Sequence, residues 1–456
     1  MSTNSGNISY EPTAGLSYDP SEEKYWDEAG LAAEVTRTFE ICHGCRMCFK
    51  YCDSFPDLFS FIDERHDGDV GKLEAKEVQQ VMDGCFQCKL CEVQCPYTVR
   101  DGHAFQLDFP KLVHRFRAQR RRKDGGRLRE TLLADPDRSA KLARASLGLA
   151  NVMNRNGLHR WFMDKVLGIH RDANLPEFAS RTFEAWAERE GRTSPRPGEA
   201  EVVLFQTCYV QNNEPAVGQD ACKVLDRNSV RSACVKGLGC CGMPAWEKGD
   251  LESLRARAKR NLDLLEPWVD AGAKVAVINP TCSMMMRREY PELLEGRDRD
   301  RARALAEATV DVSEFLWSIR GEERFDTDFA STPGDTVAYH APCHLRAQSV
   351  GFKGRDLIKK IPGVKTTMTM ECCGHDGTYA MTVEGYEPAK RIGGKAFGEM
   401  KSAEAEVWAT DCPLAALQFE QHAGTKPMHP LSILARAYEP DGFLNRIERE
   451  PRGGAQ

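Results

Sequence analysis

Two runs of four cysteines have the residue type and the spacing that bind iron–sulfur clusters. Both runs read C-x2-C-x2-C-x3-C, at residues 42–52 and 85–95. In this pattern three closely spaced thiolates meet three corners of one cubane, and the fourth cysteine ligates the other cluster. The spacing therefore predicts two 4Fe–4S clusters with crossed fourth ligands. The predicted ligands are Cys42, Cys45, Cys48 and Cys95 for one cluster, and Cys85, Cys88, Cys91 and Cys52 for the other.

Zinc sites built from C-x2-C pairs are the alternative interpretation of these cysteines. A zinc site needs only two such pairs for each metal, so it leaves the doubled three-step spacing unexplained. Pro96 follows the second run as the bacterial ferredoxin pattern expects, whereas Asp53 occupies that position after the first run. Iron–sulfur binding is the leading hypothesis.

The composition is consistent with a soluble redox protein. The chain has 456 residues, 18 cysteines and a formal net charge of −6. This length predicts about three domains, and the charge gives no reason to expect a nucleic-acid partner. The first residues lack the basic and apolar regions of a signal peptide, and no apolar run of about 18 residues could span a bilayer. We therefore expect a reducing cytoplasm, where cysteines bind metals.

Helices are predicted on both sides of the second cysteine run. Val78, Val81 and Met82 have helical spacing before that run. After it, residues 108–116 predict a helix that has Pro110 near its first position. These helices favour an α-helical ferredoxin domain of the kind found in respiratory iron–sulfur subunits.

Two later segments have both an ordinary and a membrane-related interpretation. Residues 115–123 contain six basic side chains, which fit a solvated helix face or docking on an anionic membrane or an acidic partner. Residues 142–169 are amphipathic, and we expect them to pack between domains rather than insert into a membrane. Residues 191–198, GRTSPRPG, are typical of a linker.

The chain beyond residue 200 contains two copies of one pattern. In each copy a strand ends at a cysteine, a Cys-Cys-Gly loop follows, and a later strand ends at another cysteine. Predicted strands are 201–205, 232–235 and 274–278 in the first copy, and 336–339, 364–368 and 406–409 in the second. The cysteines are offset by 135, 132 and 130 residues between copies, which indicates an internal duplication.

The cysteines of each copy form a candidate cluster site. Strands alternating with helices predict a parallel sheet, and open α/β sheets bind ligands at the carboxyl ends of their strands. The predicted ligands are Cys208, Cys240, Cys241 and Cys282 in the first copy, and Cys343, Cys372, Cys373 and Cys412 in the second. The alternative is a set of buried apolar cysteines, which we expect only for Cys222 and Cys234.

These features together resemble the heterodisulfide-reductase-like iron–sulfur proteins, which carry CCG domains. The likeness rests on CCGMP at 240–244, PCH at 342–344 and CCGHDGTY at 372–379, and it extends over about residues 38–437. It implies an electron-transfer subunit that passes electrons between a flavin dehydrogenase and a quinone or another acceptor. In disulfide-cleaving members, the resemblance implies, each copy ends in C-x2-C. This chain has Met285 and Ala415 at those last positions.

Three histidines lie near the cysteines of the second copy, and each could ligate or support a cluster. We expect His340, His344 and His375 to be hydrogen-bonding neighbours rather than ligands. Met285, with Met284 and Met286 beside it, is expected to pack in the core.

The predicted fold class is α plus α/β, with an α-helical ferredoxin domain followed by two duplicated α/β CCG domains with parallel sheets. The expected segments are a flexible tail at 1–37, the ferredoxin domain with two cubane clusters at 38–125, a helical connector and linker at 126–199, and CCG domains with one cluster each at 200–328 and 329–445.

The leading functional hypothesis is an iron–sulfur subunit that needs a flavoprotein or other redox partner, because no flavin or nicotinamide motif is found. We expect a cytoplasmic location, with peripheral contact on the inner face of the membrane as one option. The alternatives are a cluster-dependent thiol or disulfide reductase and a zinc-stabilised scaffold. No catalytic residue is assigned.

Overall fold

The computed structural model describes residues 10–126, 128–375 and 377–447. Residues 1–9 of the predicted tail and Asp376 of the CCGHDGTY motif lie outside this described part. Within it, helices surround two parallel sheets, as the sequence predicts.

The ferredoxin domain is helical. Its helices are α1 (Glu28–Cys45), α2 (Ser54–Ser60), α3 (Ala75–Asp83), α4 (Leu90–Gln94) and α5 (Phe109–Asp124). Apolar side chains from all five helices form one core. The predicted helical patch around Val81 is α3, and Pro110 lies in the first turn of α5, where its missing N–H group is not needed.

Residues 10–27 lie against the ferredoxin domain. The Tyr25 side chain is buried, and its carbonyl oxygen accepts a hydrogen bond from Arg115 Nε at 2.8 Å. Arg115 also donates to the carbonyl oxygen of Gly15, at 2.7 Å. These contacts attach residues 10–27 of the predicted tail to helix α5.

The basic residues of α5 make internal contacts, which differs from the solvated face predicted from the sequence. Arg115 and Arg117 are buried, and Arg117 donates to the carbonyl oxygens of Met82 at 3.0 Å and Cys85 at 2.8 Å. The next basic residues form the ion pairs Arg120–Asp83, Arg121–Asp250 and Lys123–Glu28. The carbonyl groups at the end of α3 need donors, and Arg117 supplies one.

The connector is also helical. It contains α6 (Leu128–Leu133), α7 (Pro136–Ala145), α8 (Leu149–Arg155), α9 (Gly157–Phe162), a π-helical turn (Met163–Leu167) and α10 (Phe183–Arg189).

The prediction that residues 142–169 pack as core between domains is wrong for most of their large apolar side chains. Leu147 is 95% exposed, Leu158 is 77% exposed and Val166 is 61% exposed. The buried positions of α7 are alanines such as Ala140, because the helix approaches its neighbours on its small-residue face. The segment is amphipathic, as predicted, but its apolar face points outward.

The first repeat contains a four-stranded parallel sheet in the order β2-β1-β3-β4. Its strands are β1 (Val202–Phe205), β2 (Ser232–Cys234), β3 (Lys274–Val277) and β4 (Thr309–Asp311). Its helices are α11 (Thr207–Asn212), α12 (Pro215–Arg227), α13 (Met243–Glu247), α14 (Leu251–Asp270), α15 (Pro280–Met284), α16 (Tyr290–Leu293), α17 (Gly296–Ala308) and α18 (Val312–Ser318). A π-helical turn (Met285–Glu289) joins α15 to α16. Strand β4 has no counterpart in the sequence prediction.

The second repeat contains a three-stranded parallel sheet in the order β7-β6-β8. Its strands are β6 (Thr336–His340), β7 (Lys365–Thr369) and β8 (Val407–Thr410), and a small antiparallel pair joins β5 (Ser331–Thr332) to β9 (Asn445–Arg446). Its helices are α19 (Cys343–Gln348), α20 (Lys353–Ile358), α21 (Tyr386–Ser402), α22 (Pro413–Ala423) and α23 (Pro430–Ala437).

The two repeats share one hydrophobic core. Leu204 of β1 and Ala276 of β3 belong to the same buried cluster as Val337 and Tyr339 of β6. Among the described helices, none combines the length and the apolar content that crossing a bilayer requires.

Candidate iron–sulfur sites

The first ferredoxin site is a cavity with cysteines from both runs. Cys42 and Cys45 lie in the last turn of α1, Cys48 follows that helix, and Cys95 is at the end of α4. All four line one cavity, together with apolar side chains that include Phe55. The structure therefore brings Cys95 to the three cysteines of the other run.

The thiols of this site are in an environment that disfavours free thiolates. Burial raises the pKa of Cys42, and burial followed by the charges of neighbouring cysteines raises the pKa of Cys48 to about 12. A thiolate in this cavity therefore needs positive charge beside it, which the iron of a cluster would supply. The cavity and its donor set fit a cubane.

The second ferredoxin site contains Cys85, Cys88, Cys91 and Cys52, which are all buried in the same core. Burial raises the pKa of Cys91, and the nearby charges of Cys88, Cys85, Cys48 and Cys52 raise it further. Cys52 lies near both Cys88 and Cys91, where a crossed fourth ligand would have to lie.

The loop of this second site bends its backbone around the sulfur atoms. Gln87 and Lys89 have positive φ angles of 53° and 60°. The Gln87 N–H group lies 3.4 Å from Cys85 Sγ. Such N–H contacts stabilise negative charge on cluster-bound sulfur.

The first-repeat site collects its cysteines from the ends of two strands and one loop. Cys208 lies in α11 directly after β1, Cys282 lies in α15 after β3, and Cys240 and Cys241 precede α13. Hydrogen bonds from the Cys208 and Cys241 thiols lower the pKa of Cys240 well below its ordinary value, although burial opposes this. The Cys282 thiol in turn interacts with Cys241, so the four sulfurs form one interacting set.

Asp137 is a residue of this site that no sequence pattern indicates. It belongs to connector helix α7, and its Oδ2 atom accepts a hydrogen bond from the Cys240 N–H group at 2.8 Å. Arg257 of α14 lies beside it, with Nη1 3.5 Å from Asp137 Oδ2. Asp137 lies 103 positions before Cys240, so no local motif connects the two.

The second-repeat site has the same construction. Cys343 begins α19 after β6, Cys412 precedes α22 after β8, and Cys372 and Cys373 lie in the loop after β7. Burial raises the pKa of Cys412 to about 11. The site is less enclosed than its counterpart, since all four cysteines are half-buried.

A glycine follows the cysteine pair in each repeat and allows the same turn. Gly242 has a φ of 91° and Gly374 has a φ of 75°. Their N–H groups lie 3.4 Å from Cys240 Sγ and 3.3 Å from Cys372 Sγ. A Cβ atom at Gly374 would lie 2.0 Å from the Ala389 carbonyl oxygen, so the turn leaves no room for a side chain.

The cysteine-bearing ends of the two repeats face each other. Helix α15, which carries Cys282, packs on α19, which carries Cys343. Thr281 Oγ1 and His344 Nδ1 are 2.9 Å apart across this contact. On the opposite side, Tyr209 of α11 lines a small cavity with Pro413 of α22.

The second ferredoxin site also adjoins the second-repeat site. Cys343 and Cys372 pack against the core that contains the second ferredoxin site. The Phe86 and Tyr379 rings lie 5.3 Å apart between the two sites, and His344 Nε2 donates to the Gln87 carbonyl oxygen at 3.1 Å. The second ferredoxin site therefore adjoins the second-repeat site, which in turn adjoins the first-repeat site through the contact of α15 with α19.

Two of the three predicted supporting histidines, His340 and His344, make internal hydrogen bonds. His340 Nε2 donates to the Glu371 carbonyl oxygen at 3.1 Å, and its Nδ1 lies 3.2 Å from Thr410 Oγ1. His344 is paired at both nitrogens by the contacts given above. Both ring nitrogens of His375 are buried without a hydrogen-bond partner among the described residues, which differs from the prediction for this residue. Burial lowers the pKa of His340, His344 and His375 to about 4, so each is neutral near pH 7.

The remaining residues singled out in the sequence are core residues. Met285 is fully buried in a cluster that also holds Cys241 and Cys282, and Ala415 is buried beside α21. Cys222 and Cys234 are buried in the core shared by the repeats. The last positions of both repeats therefore contribute packing and no thiolate.

Comparison with known proteins defines the domains that hold these sites. Residues 202–287 and 337–420 match the CCG cysteine-rich domain, and residues 41–100 match the 4Fe-4S dicluster domain. The chain is thus an iron–sulfur protein with one dicluster domain and two CCG domains, as the sequence resemblance implies.

Among particular proteins, the chain is homologous to known dehydrogenase and oxidase subunits. It is 27% identical to one subunit of the anaerobic glycerol-3-phosphate dehydrogenase of Escherichia coli K12 over 312 residues, which cover 68% of this chain and 77% of that protein. It is 23% identical to the glycolate oxidase iron-sulfur subunit of the same organism over 431 residues, or 90% and 96% of the two chains. Lactate utilization protein A of Bacillus subtilis is 28% identical over 188 residues, or 40% and 74%.

Proposed function

We propose that this chain is an electron-transfer subunit that relays electrons between a flavin-type dehydrogenase and a quinone or another acceptor. The observation that carries the proposal is the grouping of the cysteine sites, three of which adjoin one another across domain boundaries. Two relatives are named as subunits of larger enzymes, a glycerol-3-phosphate dehydrogenase and a glycolate oxidase. This supports a flavoprotein or other redox partner.

We assign one 4Fe–4S cluster to each ferredoxin site and one iron–sulfur cluster to each CCG site, held by the four cysteines described for each. Bound clusters of this kind supply one-electron chemistry. The chain itself buries seven of the sixteen site cysteines and directs N–H groups of Gln87, Gly242 and Gly374 toward sulfur. Such donors tune a reduction potential.

The sites argue against the disulfide-reductase alternative. Met285 and Ala415 leave each CCG site with four cysteines, so no fifth thiolate is present to help bind a substrate sulfur.

We also infer that the chain acts in the cytoplasm, in peripheral contact with the inner face of the membrane.

The proposal is tested with anaerobically purified protein. Iron and acid-labile sulfide are quantified, and the visible spectrum is followed during reduction by dithionite or by a reduced flavoprotein. Cys240→Ser and Cys372→Ser should each lower the iron content and interrupt electron flow to the acceptor. Cys222→Ser is the matched control, because this buried cysteine lies outside all four sites.

Two outcomes would contradict the proposal. Substantial disulfide reduction by the isolated chain, abolished by either site variant, would identify the chain as an enzyme. A colourless protein that contains zinc would identify it as a scaffold.

A further inference from the structure

The connector carries an apolar surface that no described part of the chain covers. We call it the connector patch. Its members are Leu142, Leu147, Leu149, Val152, Met153, Leu158, Trp161, Phe162 and Val166, and each is more than one-third exposed. They lie on α7, α8, α9 and the following π-helical turn, which contact one another in sequence, and Leu147 lies in the turn between α7 and α8. A contiguous set of exposed apolar side chains on a protein surface marks an interaction site.

The connector helices are amphipathic, but their polar side chains face the protein and their apolar side chains face outward. Arg160 is buried and donates to the carbonyl oxygens of His170 at 2.7 Å and Ala173 at 2.6 Å. Asn151 donates to the Phe178 carbonyl oxygen at 2.8 Å. Polar and small side chains therefore attach these helices to the protein, while leucine, tryptophan and phenylalanine face outward.

The charged residues around the patch are mainly basic. Between residues 137 and 166 the sequence has six lysines and arginines and two aspartates. Asp137 is engaged with the Cys240 N–H group, and Asp164 pairs with Lys165. The exposed basic residues on these helices and the following turn are Arg138, Lys141, Arg155 and Lys165. Arg155 pairs with Glu177, so among the described residues Arg138 and Lys141 carry the unpaired positive charge of this border.

We propose that the connector patch docks on an anionic lipid bilayer, with the helices lying in the plane of the interface. The proposal deepens the peripheral membrane contact inferred above and rests on it. Outward leucines with Trp161 and Phe162 suit the boundary between headgroups and acyl chains, and a basic border suits anionic headgroups. The basic run of α5 is less suited to this role, since Arg115 and Arg117 are buried in internal contacts and Arg120, Arg121 and Lys123 are ion-paired.

Vesicle co-sedimentation of the iron-loaded full chain tests the proposal. We expect binding to vesicles of phosphatidylcholine with phosphatidylglycerol, and weaker binding to phosphatidylcholine alone. The triple variant Leu147→Ser, Val152→Ser and Trp161→Ser should bind at least about a hundredfold more weakly, since burying each such side chain changes affinity about tenfold. Arg138→Gln with Lys141→Gln should weaken binding only to the anionic vesicles, by about fivefold for each charge.

Leu444→Ser is the matched control, because Leu444 is fully exposed but lies outside the patch. It should bind like the wild type. Absence of wild-type binding to both vesicles, or equal binding by the triple variant, would overturn the proposal. A lipid-free wild-type dimer that the triple variant converts to monomer would also overturn it and assign the patch to a second copy of this chain.

The same variant separates this proposal from the electron-transfer function. A triple variant that keeps its iron and its reduction by dithionite but loses vesicle binding supports lipid docking and leaves the electron-transfer proposal intact. Failure of the wild type to accept electrons would contradict the proposed function without altering the vesicle result.

Discussion

At the scale of single residues, the two ferredoxin runs differ where a proline is expected. Pro96 follows the second run, whereas Asp53 follows the first and reaches Arg391 of α21, with Oδ2 2.5 Å from Arg391 Nη2. Burial raises the pKa of Asp53, although Arg391 opposes the shift. The position after Cys52 thus contributes an ion pair between the dicluster domain and the second CCG domain.

The crossed ligand sets predict which cluster each fourth cysteine supports. Cys95→Ser should damage the cluster held with Cys42, and Cys52→Ser should damage the cluster held with Cys88, because each sulfur lies with the opposite run. Electron paramagnetic resonance of the reduced variants, with iron analysis, should show the loss of a different signal in each.

Cys234→Ser is a suitable control for this pair, since its buried thiol belongs to none of the four sites. If each substitution removed the signal of its own run, the crossed assignment would be wrong.

At the scale of helices and strands, spacing along the sequence identifies the elements but not their environment. The strands before Cys208 and Cys343 and the helices α3 and α5 lie where apolar patterns predict them. A pattern of this kind shows that a helix has two faces, but it does not show which face meets the protein. For that reason the sequence predicts the connector as core, although its apolar face is exposed.

The arginines of α5 illustrate a second limit of sequence reasoning. Arg115 is buried because it donates to backbone carbonyl groups within residues 15–27. Every residue has such a carbonyl group, so the sequence does not show which of them need a side-chain donor. Asp137 escapes prediction for a related reason, because its partner is the N–H group of Cys240. The cysteine sites could be predicted because the ligands themselves are side chains with fixed spacing.

Helix α5 provides a stability prediction. Arg115→Ala should lower the free energy of unfolding by about 3 kcal/mol, because several buried carbonyl groups would lose a charged donor. Arg120→Ala is the matched control on the same helix. It removes a partly exposed pair with Asp83, which should cost less than about 1 kcal/mol.

Anaerobic denaturant unfolding of the iron-loaded proteins measures both values. Equal losses for the two variants would show that Arg115 does not stabilise residues 10–27 as described.

At the scale of the whole molecule, the dicluster domain is joined to the first CCG domain by buried charges. Lys89, in the loop of the second ferredoxin site, pairs with Glu289, and both side chains are almost completely buried. Arg288 pairs with Glu92 at 2.6 Å, and Arg117 donates to the Glu247 carbonyl oxygen at 3.1 Å. These contacts fix the cysteine loops of different domains relative to one another.

Glu289→Gln should destabilise the protein by about 3–5 kcal/mol, because it leaves the Lys89 charge buried without its partner. Burial opposes ionisation of Glu289, but Lys89 and Lys111 lower its pKa to about 2. Since this pKa is below the ordinary value of 4.5, the wild type gains stability above pH 4.5 and loses it as the pH falls toward 2.

The difference in unfolding free energy between wild type and variant should therefore shrink by roughly 1 kcal/mol from pH 6 to pH 4. Glu214→Gln serves as the control, since it breaks a more exposed pair with Lys426. A difference that stays constant with pH would argue against an ionised Glu289 in the folded state.

The facing contact of the two CCG domains also bears on the ancestry of the chain. The first cysteine helix of one repeat meets the last cysteine helix of the other, α19 with α15 and α11 toward α22. Two separate copies of an ancestral domain would meet in this way across a two-fold axis, as in a homodimer. Within one chain the two halves need not stay identical, and here Asp137 contacts the first site while Phe86 and Tyr379 lie beside the second.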